Sequence, residues 1–363
     1  MGHRWLAVLA ALVGVLLFLV LISLPGCRST SPHTANSTVS TTGNTVSTTT
    51  SPAPPVKSIV IATPDQSAAV QPSPVLRLAW TPGPDASAEF AVSPDGQTIG
   101  IAEAPDRNSR TLHLYDRRGS PLLSRMLLAN MPHDSPFVTL IDLVVVSPTD
   151  ILLLLQHEDS FRVHRLTPNE TGMSTEGVYL VHGAADQLAV AAPDASNVWA
   201  HDGSTDRSYP LFLGGQAIWQ DTDQQGKARA GIPLGDTWVK MRREDAKVTL
   251  TVTGSASTQP LQILAPTGQR FVSARLLEPD ASGLFYLVTE LRPTHAGYSP
   301  KTIAIVSFSA DGSKHSQLTL ADTSGEIAPQ FAVTRDGTVY GLWSEPGALE
   351  VFVYPQAPSA VPW

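Results

Sequence analysis

The chain has 363 residues, 42% of them hydrophobic, with a formal net charge of −8 and one cysteine. That length can bury a large core in one to three domains, and a lone Cys27 excludes an intramolecular disulfide and a cysteine metal cluster. Only Arg4 and Arg28 precede residue 57 and every acid follows it, so residues 57–363 carry 22 basic against 32 acidic side chains, a net −10 that weighs against nucleic acid as a partner.

Residues Trp5 to Gly26 are uncharged, and the eighteen from Trp5 to Ile22 are almost all strongly apolar. Such a run is long enough to cross a bilayer as a helix and exceeds the usual signal-peptide core of roughly 7 to 15 residues. It ends in Leu24-Pro25-Gly26-Cys27, which resembles the lipobox of bacterial lipoproteins. That resemblance implies that Cys27 is lipidated and becomes the mature N-terminus. The other reading is an uncleaved anchor helix over residues 1–27. Both attach the chain to a membrane, and with Arg4 inside both direct the remainder outward, to an extracytoplasmic address.

Residues 28–56 form the second segment. Within 29–51 there are 15 serines and threonines, and no Asp, Glu, Lys or Arg occurs from Ser29 to Val56. Such a composition cannot bury enough apolar surface to offset the entropy of ordering, so the segment reads as a disordered tether stiffened at its end by Pro52-Ala-Pro-Pro55.

Residues 57–363 form the third. Ser58 to Ala62 and Val75 to Trp80 are the first strand candidates, and a recurring unit follows. Phe90-Ala-Val-Ser-Pro-Asp-Gly-Gln-Thr-Ile-Gly-Ile-Ala102 returns as Phe331-Ala-Val-Thr-Arg-Asp-Gly-Thr-Val-Tyr-Gly-Leu-Trp343. Both read strand, tight turn, strand, with β-branched and aromatic arms around glycines that supply the positive φ of a hairpin. Degenerate copies surround Pro148, Pro193-Asp194 and Pro279-Asp280. Turn positions Pro94, Pro148, Pro193, Pro279 and Arg335 are 54, 45, 86 and 56 residues apart, and halving the 86 places another copy near residue 236, at Leu234-Gly-Asp-Thr-Trp238.

A second unit, strand then turn, follows at His113–Gly119, Phe161–Gly172, Leu261–Gly268 and Ile303–Gly312. About four strands per period predicts an all-β propeller of six blades, or seven if residues 58–85 make their own. An early strand is expected to complete the last blade, because joining the termini hides the edge strands. A two-sheet sandwich is the competing fold.

Ser93-Pro94-Asp95-Gly96 followed by an apolar strand resembles the repeat of TolB-like and WD-repeat-like bacterial propellers. Propellers of that kind include binding scaffolds, protein-interaction platforms, lactonases and peptidase accessory domains, so the resemblance implies a fold and leaves the function open.

The residues at the repeat turns, Pro94, Asp95, Gly96, Pro148, Pro193, Asp194, Pro279, Asp280, Asp336 and Gly337, read as structural, with Asp95 accepting hydrogen bonds inside its own turn. His157 and Glu158 set an imidazole beside a carboxylate, as do His133-Asp134 and His201-Asp202. Asp221 and Asp223 open a segment that is similar to the start of a calcium loop, but Ile232 stands where a bidentate glutamate belongs. Trp80, Trp199, Trp238 and Trp343 read as blade core and Trp219 as the least constrained. No Gly-x-Ser-x-Gly, His-Glu-x-x-His or Walker motif occurs, and no cofactor is implied.

The expectation is a membrane-anchored module that binds a ligand or an envelope protein without catalysis. A hydrolase or lactonase with its site at the channel mouth is the alternative. Three or more inward Asp, Glu, His or Asn side chains around one point would favour the enzyme.

Overall fold

The computed structural model describes residues 56–354, apart from 64–71, 107–109, 128–137, 159, 170–171, 192–194, 254–259, 296–300, 314 and 322–327. The apolar run, Cys27 and most of the linker therefore lie outside the described residues, as do His133, Asp134, Pro193 and Asp194. Among the described residues no helix is long and apolar enough to cross a membrane.

The strands fall into six separate sheets. Blade 1 is β3 (Ser87–Val92), β4 (Thr98–Ala104), β5 (Thr111–Asp116) and β6 (Pro121–Met126), and blade 2 is β7 (Val138–Ser147), β8 (Asp150–His157), β9 (Ser160–Asn169) and β10 (Gly172–Val181). Blade 3 is β11 (Gln187–Val190), β12 (Val198–Asp202) and β13 (Arg207–Leu213), whose outer edge is shared by β14 (Gln216–Ala217) and β15 (Arg229–Ala230). Between those two short strands lies helix α1 (Asp221–Lys227).

Blade 4 is β16 (Ile232–Leu234), β17 (Thr237–Arg243), β18 (Lys247–Thr253) and β19 (Leu261–Leu264), with β1 (Lys57–Val60) added in parallel to β19. Blade 5 is β20 (Gln269–Leu277), β21 (Phe285–Pro293), β22 (Thr302–Phe308) and β23 (His315–Ala321). Blade 6 joins β24 (Gln330–Val333), β25 (Val339–Glu345) and β26 (Ala348–Tyr354) to β2 (Ser73–Ala79) from the other end of the chain.

Six sheets rule out the sandwich, and the early strands rule out a seventh blade: β2 completes blade 6 as expected, and β1 widens blade 4. The turn expected near residue 236 joins β16 to β17. The spacing misplaced one strand. Leu261–Leu264 is the fourth strand of its blade, and the third is Lys247–Thr253, where Val248, Leu250 and Val252 alternate buried with half-buried neighbours.

The core lies between blades, which explains why inner strands are apolar on both faces. Ile151, Leu153 and Leu155 of β8 pack toward blade 1, while Leu152 and Leu154 pack toward blade 3. Side chains alternate across a strand, so a sheet with neighbours on both sides needs an uninterrupted apolar run. Trp80, Trp199 and Trp343 are buried in such layers and Trp238 packs edge-on to Trp199, whereas Trp219 is 61% exposed.

Candidate site at the propeller channel

In every blade the first strand lies innermost, and the turn leading to the second strand emerges on one face of the ring. These are the repeat turns. Asp95 accepts from the Ser93 hydroxyl at 2.6 Å and from the Gln97 N–H at 3.0 Å, and Ser93 holds it below the usual carboxylate range. Asp336 accepts from the Thr334 hydroxyl and the Thr338 N–H, and Asp280 from Ser282, Leu284 and the Tyr286 hydroxyl. Gly96 and Gly337 take φ of 70° and 81°, a region a side chain enters only at a cost. Ala195 adopts φ 53° in the β11–β12 turn, so the left-handed position persists there without glycine.

The turns also clasp one another. Arg335 N–H donates to the Pro94 carbonyl at 2.8 Å, and the Arg335 carbonyl accepts from Ala281 N–H at 2.7 Å. Blade 6 is thereby tied to blades 1 and 5. A rim is formed.

Inside that rim is a cavity of about 210 Å³ to which all six blades contribute. Its walls are apolar, including Phe90, Leu143, Leu188, Leu277, Phe331 and Val333. Deeper along the inner strands, Arg275 of β20 reaches Asp142 of β7 at 2.7 Å, from blade 5 to the diametrically opposite blade 2. Asp142 also accepts the Leu188 N–H at 2.7 Å, and Gln187 donates to the Leu276 carbonyl at 2.7 Å, a second strut from blade 3 to blade 5. The cavity is a cup with a charged floor. Arg275 is enclosed by protein yet keeps 40% of its side chain exposed, as a group facing channel water does, while Asp142 is 2% exposed.

Four acids belong to the channel, and three are committed. Asp142 is held by Arg275 and Leu188. Asp186 accepts from Gly203 N–H at 3.1 Å, and burial raises it from the usual value against that bond. Burial, aided by Asp142, pushes Glu89 well above the usual carboxylate range, while Arg275 and a bond from Gln330 oppose it. Glu278 makes no hydrogen bond among the described residues. Burial lifts it to about 7, partly countered by the guanidinium of Arg335. Burial also works against the charge on Arg275, but Asp142 more than offsets it.

The other sequence candidates lie elsewhere. His157 ends β8 at the face opposite the rim, its ring stacked on His164 at 6.2 Å, and Glu158 takes φ 46° in the following turn. Asp221 and Asp223 fall in the first turn of α1, which corrects the loop expected there, and Asp221 lies 3.4 Å from His182. A helix turns successive side chains around its axis, so the alternate ligands of a calcium loop do not wrap one point. Among the described residues no three His, Cys, Asp or Glu are grouped to hold a metal ion.

No protein-family model matches the chain, and no curated protein does. Solved structures do. The PQQ-bound aldose sugar dehydrogenase from Streptomyces coelicolor aligns at 11% identity and a TM-score of 0.42, over 79% of this chain and 99% of that one. YCF48 from Cyanidioschyzon merolae aligns at 11% and 0.39, over 76% and 99%. AofleA from Arthrobotrys oligospora aligns at 10% and 0.36, over 78% and 86%. At such identities no activity transfers. The class, a six-bladed β-propeller, follows from this chain's own sheet order.

Proposed function

We propose that this propeller is a binding module that takes a small molecule in the channel cup, without chemistry of its own. The observation that carries the reading is the Arg275–Asp142 bridge, which spans the channel beneath apolar walls and sets a charged floor there. Pockets of that kind, apolar with a few converging polar groups, are the usual form of small-molecule sites. Four carboxyl groups, Glu89, Asp142, Asp186 and Glu278, converge in the channel, which meets the condition set above for the enzyme. But Asp142 is taken up by Arg275 and Leu188 N–H and Asp186 by Gly203 N–H, and among the described residues only Glu278 accepts no hydrogen bond. The hydrolase or lactonase remains the second reading because a carboxyl titrating near 7 suits a general base.

The address forms part of the proposal. The apolar run and Cys27 would fix the N-terminus to a membrane and leave the propeller outside, within reach of envelope proteins. Fatty-acid labelling of the wild type and Cys27→Ser tests this: lipidation predicts label on a shortened wild-type chain that the variant lacks while keeping its apolar run, and an uncleaved anchor predicts no label and full length in both.

The binding reading is tested by thermal unfolding of the full-length protein against small metabolites, with Val333→Trp as a filled-cup control. A ligand at 100 times its Kd stabilises by about 2.7 kcal/mol, and the control should lose that shift. Ester or lactone turnover that disappears in Glu278→Gln would instead establish the enzyme.

A further inference from the structure

We propose that the ligand of the cup is a compact organic carboxylate, its apolar body against Leu188, Leu277 and Phe331 and its charged end between the Arg335 guanidinium and the Glu278 carboxyl. This rests on the cup being a binding site, and it names the chemical class the site prefers.

The argument is one of charge and of unused hydrogen-bonding capacity. Four charged groups line the cup: Asp142, Arg275, Glu278 and Arg335. Asp142 and Arg275 neutralise each other at the floor. What remains at the rim is the exposed guanidinium of Arg335, which makes no hydrogen bond among the described residues and faces Asp95 of the neighbouring turn, and the enclosed carboxyl of Glu278, also without one. Arg335 is an obligate cation that presents planar paired donors to a carboxylate.

Glu278 is the group that decides between anion and cation. The charges facing it are Arg335 on the β24–β25 turn and Asp142 on β7, and enclosure favours its neutral form up to about pH 7. Neutral, it is a second donor beside Arg335. A bound carboxylate then receives an O–H from one side and N–H groups from the other. The buried Nε–H of Arg275, without a partner among the described residues, leaves one unused donor at the floor. With Arg275 already cancelled by Asp142, an amine would meet the Arg335 cation with only Glu278, uncharged below about pH 7, to offset it.

Backbone geometry fixes the pair in place. Arg335 is tied through its own N–H and carbonyl to Pro94 and Ala281, and Glu278 directly precedes Pro279 on the adjoining turn. The two side chains rise from a clasped rim.

The test is calorimetric titration of the full-length protein with benzoate, phenylacetate and hexanoate against benzamide, benzylamine and hexylamine. Carboxylates should bind at least tenfold more tightly than their amides and amines. Arg335→Gln should weaken them tenfold or more. Affinity in the wild type should fall between about pH 6 and pH 8 as Glu278 loses its proton, and Glu278→Gln should flatten that profile. Tighter binding of the amines, or carboxylate binding indifferent to Arg335→Gln, overturns the ligand class while leaving the cup a binding site. If no compound in the three series binds and Val333→Trp changes nothing, the carboxylate proposal falls and the binding reading with it. Melting curves of both rim variants confirm that they fold.

Discussion

Arg275 and Asp142 stand on opposite blades and meet at 2.7 Å across the channel, so one ion pair braces the ring along a diameter. Asp142→Asn would leave Arg275 without its counter-charge and weaken the acceptor for Leu188 N–H. With Arg275 partly in channel water, the expected loss is about 2 kcal/mol. Urea unfolding of Asp142→Asn, Arg275→Met and the double variant should give a coupling energy above about 1 kcal/mol. Additive single effects would mean that the pair does not brace the ring.

Glu278 makes stability depend on pH. Its carboxyl titrates at about 7 in the folded protein against 4.5 ordinarily. Below 4.5 both states hold the proton; from there to about 7 the unfolded chain releases it while the native state keeps it, so stability falls and the loss is complete above 7. Glu278→Gln removes this slope. Urea midpoints should show the variant more stable than the wild type at about pH 8 and level with it at about pH 4.

His164 does the reverse. It is 2% exposed, both ring nitrogens lack partners among the described residues, and burial, with His157 and Arg162 nearby, lowers it to about 4 from 6.5. Above 6.5 both states are neutral, and as pH falls from 6.5 to 4 the unfolded chain takes up a proton that the native state refuses. The full loss is about 3 kcal/mol. His164→Phe should flatten this acid limb in part, because His201, also lowered to about 4, retains its own.

Gln224, 1% exposed, fastens α1 to the blades. Its amide donates to the Leu180 and Ile218 carbonyls at 3.0 Å and accepts the His182 N–H at 3.1 Å. Gln224→Ala leaves those three groups unpaired, at a cost of about 2 to 3 kcal/mol. Limited proteolysis should then cut within 219–228 before the propeller unfolds. Unchanged resistance would show that α1 is held by other contacts.

The sequence made the blades legible because each turn must solve the same problem, reversing the chain beside the channel, and Asp-Gly solves it locally. The cup was not legible. Asp142 is the one charge of its apolar strand and Arg275 one of two arginines in its own, 133 residues apart, and no local pattern says that one faces the other. A lone charge in an inner strand was the available clue. Glu278 lay inside the repeat itself, read as part of the Leu276-Leu-Glu-Pro-Asp turn, and its role depends on enclosure by other blades. The helix at 221–227 was missed because its seven residues show no apolar stripe, and tertiary hydrogen bonds from Gln224 hold it.

The seam in blade 6 has a consequence for how the chain comes into being. Arg77 of β2 pairs with Glu350 of β26, 273 residues later. During synthesis β2 emerges early and must wait, unpaired, until nearly the whole protein has been made, while five blades assemble beside an open gap. Closure over so long a loop is slow, and an exposed strand in that interval can be captured by the gap of another molecule. Refolding at rising protein concentration should therefore yield strand-exchanged dimers in place of closed monomers, an outcome that a permuted chain beginning at β3 and carrying β2 after β26 would avoid.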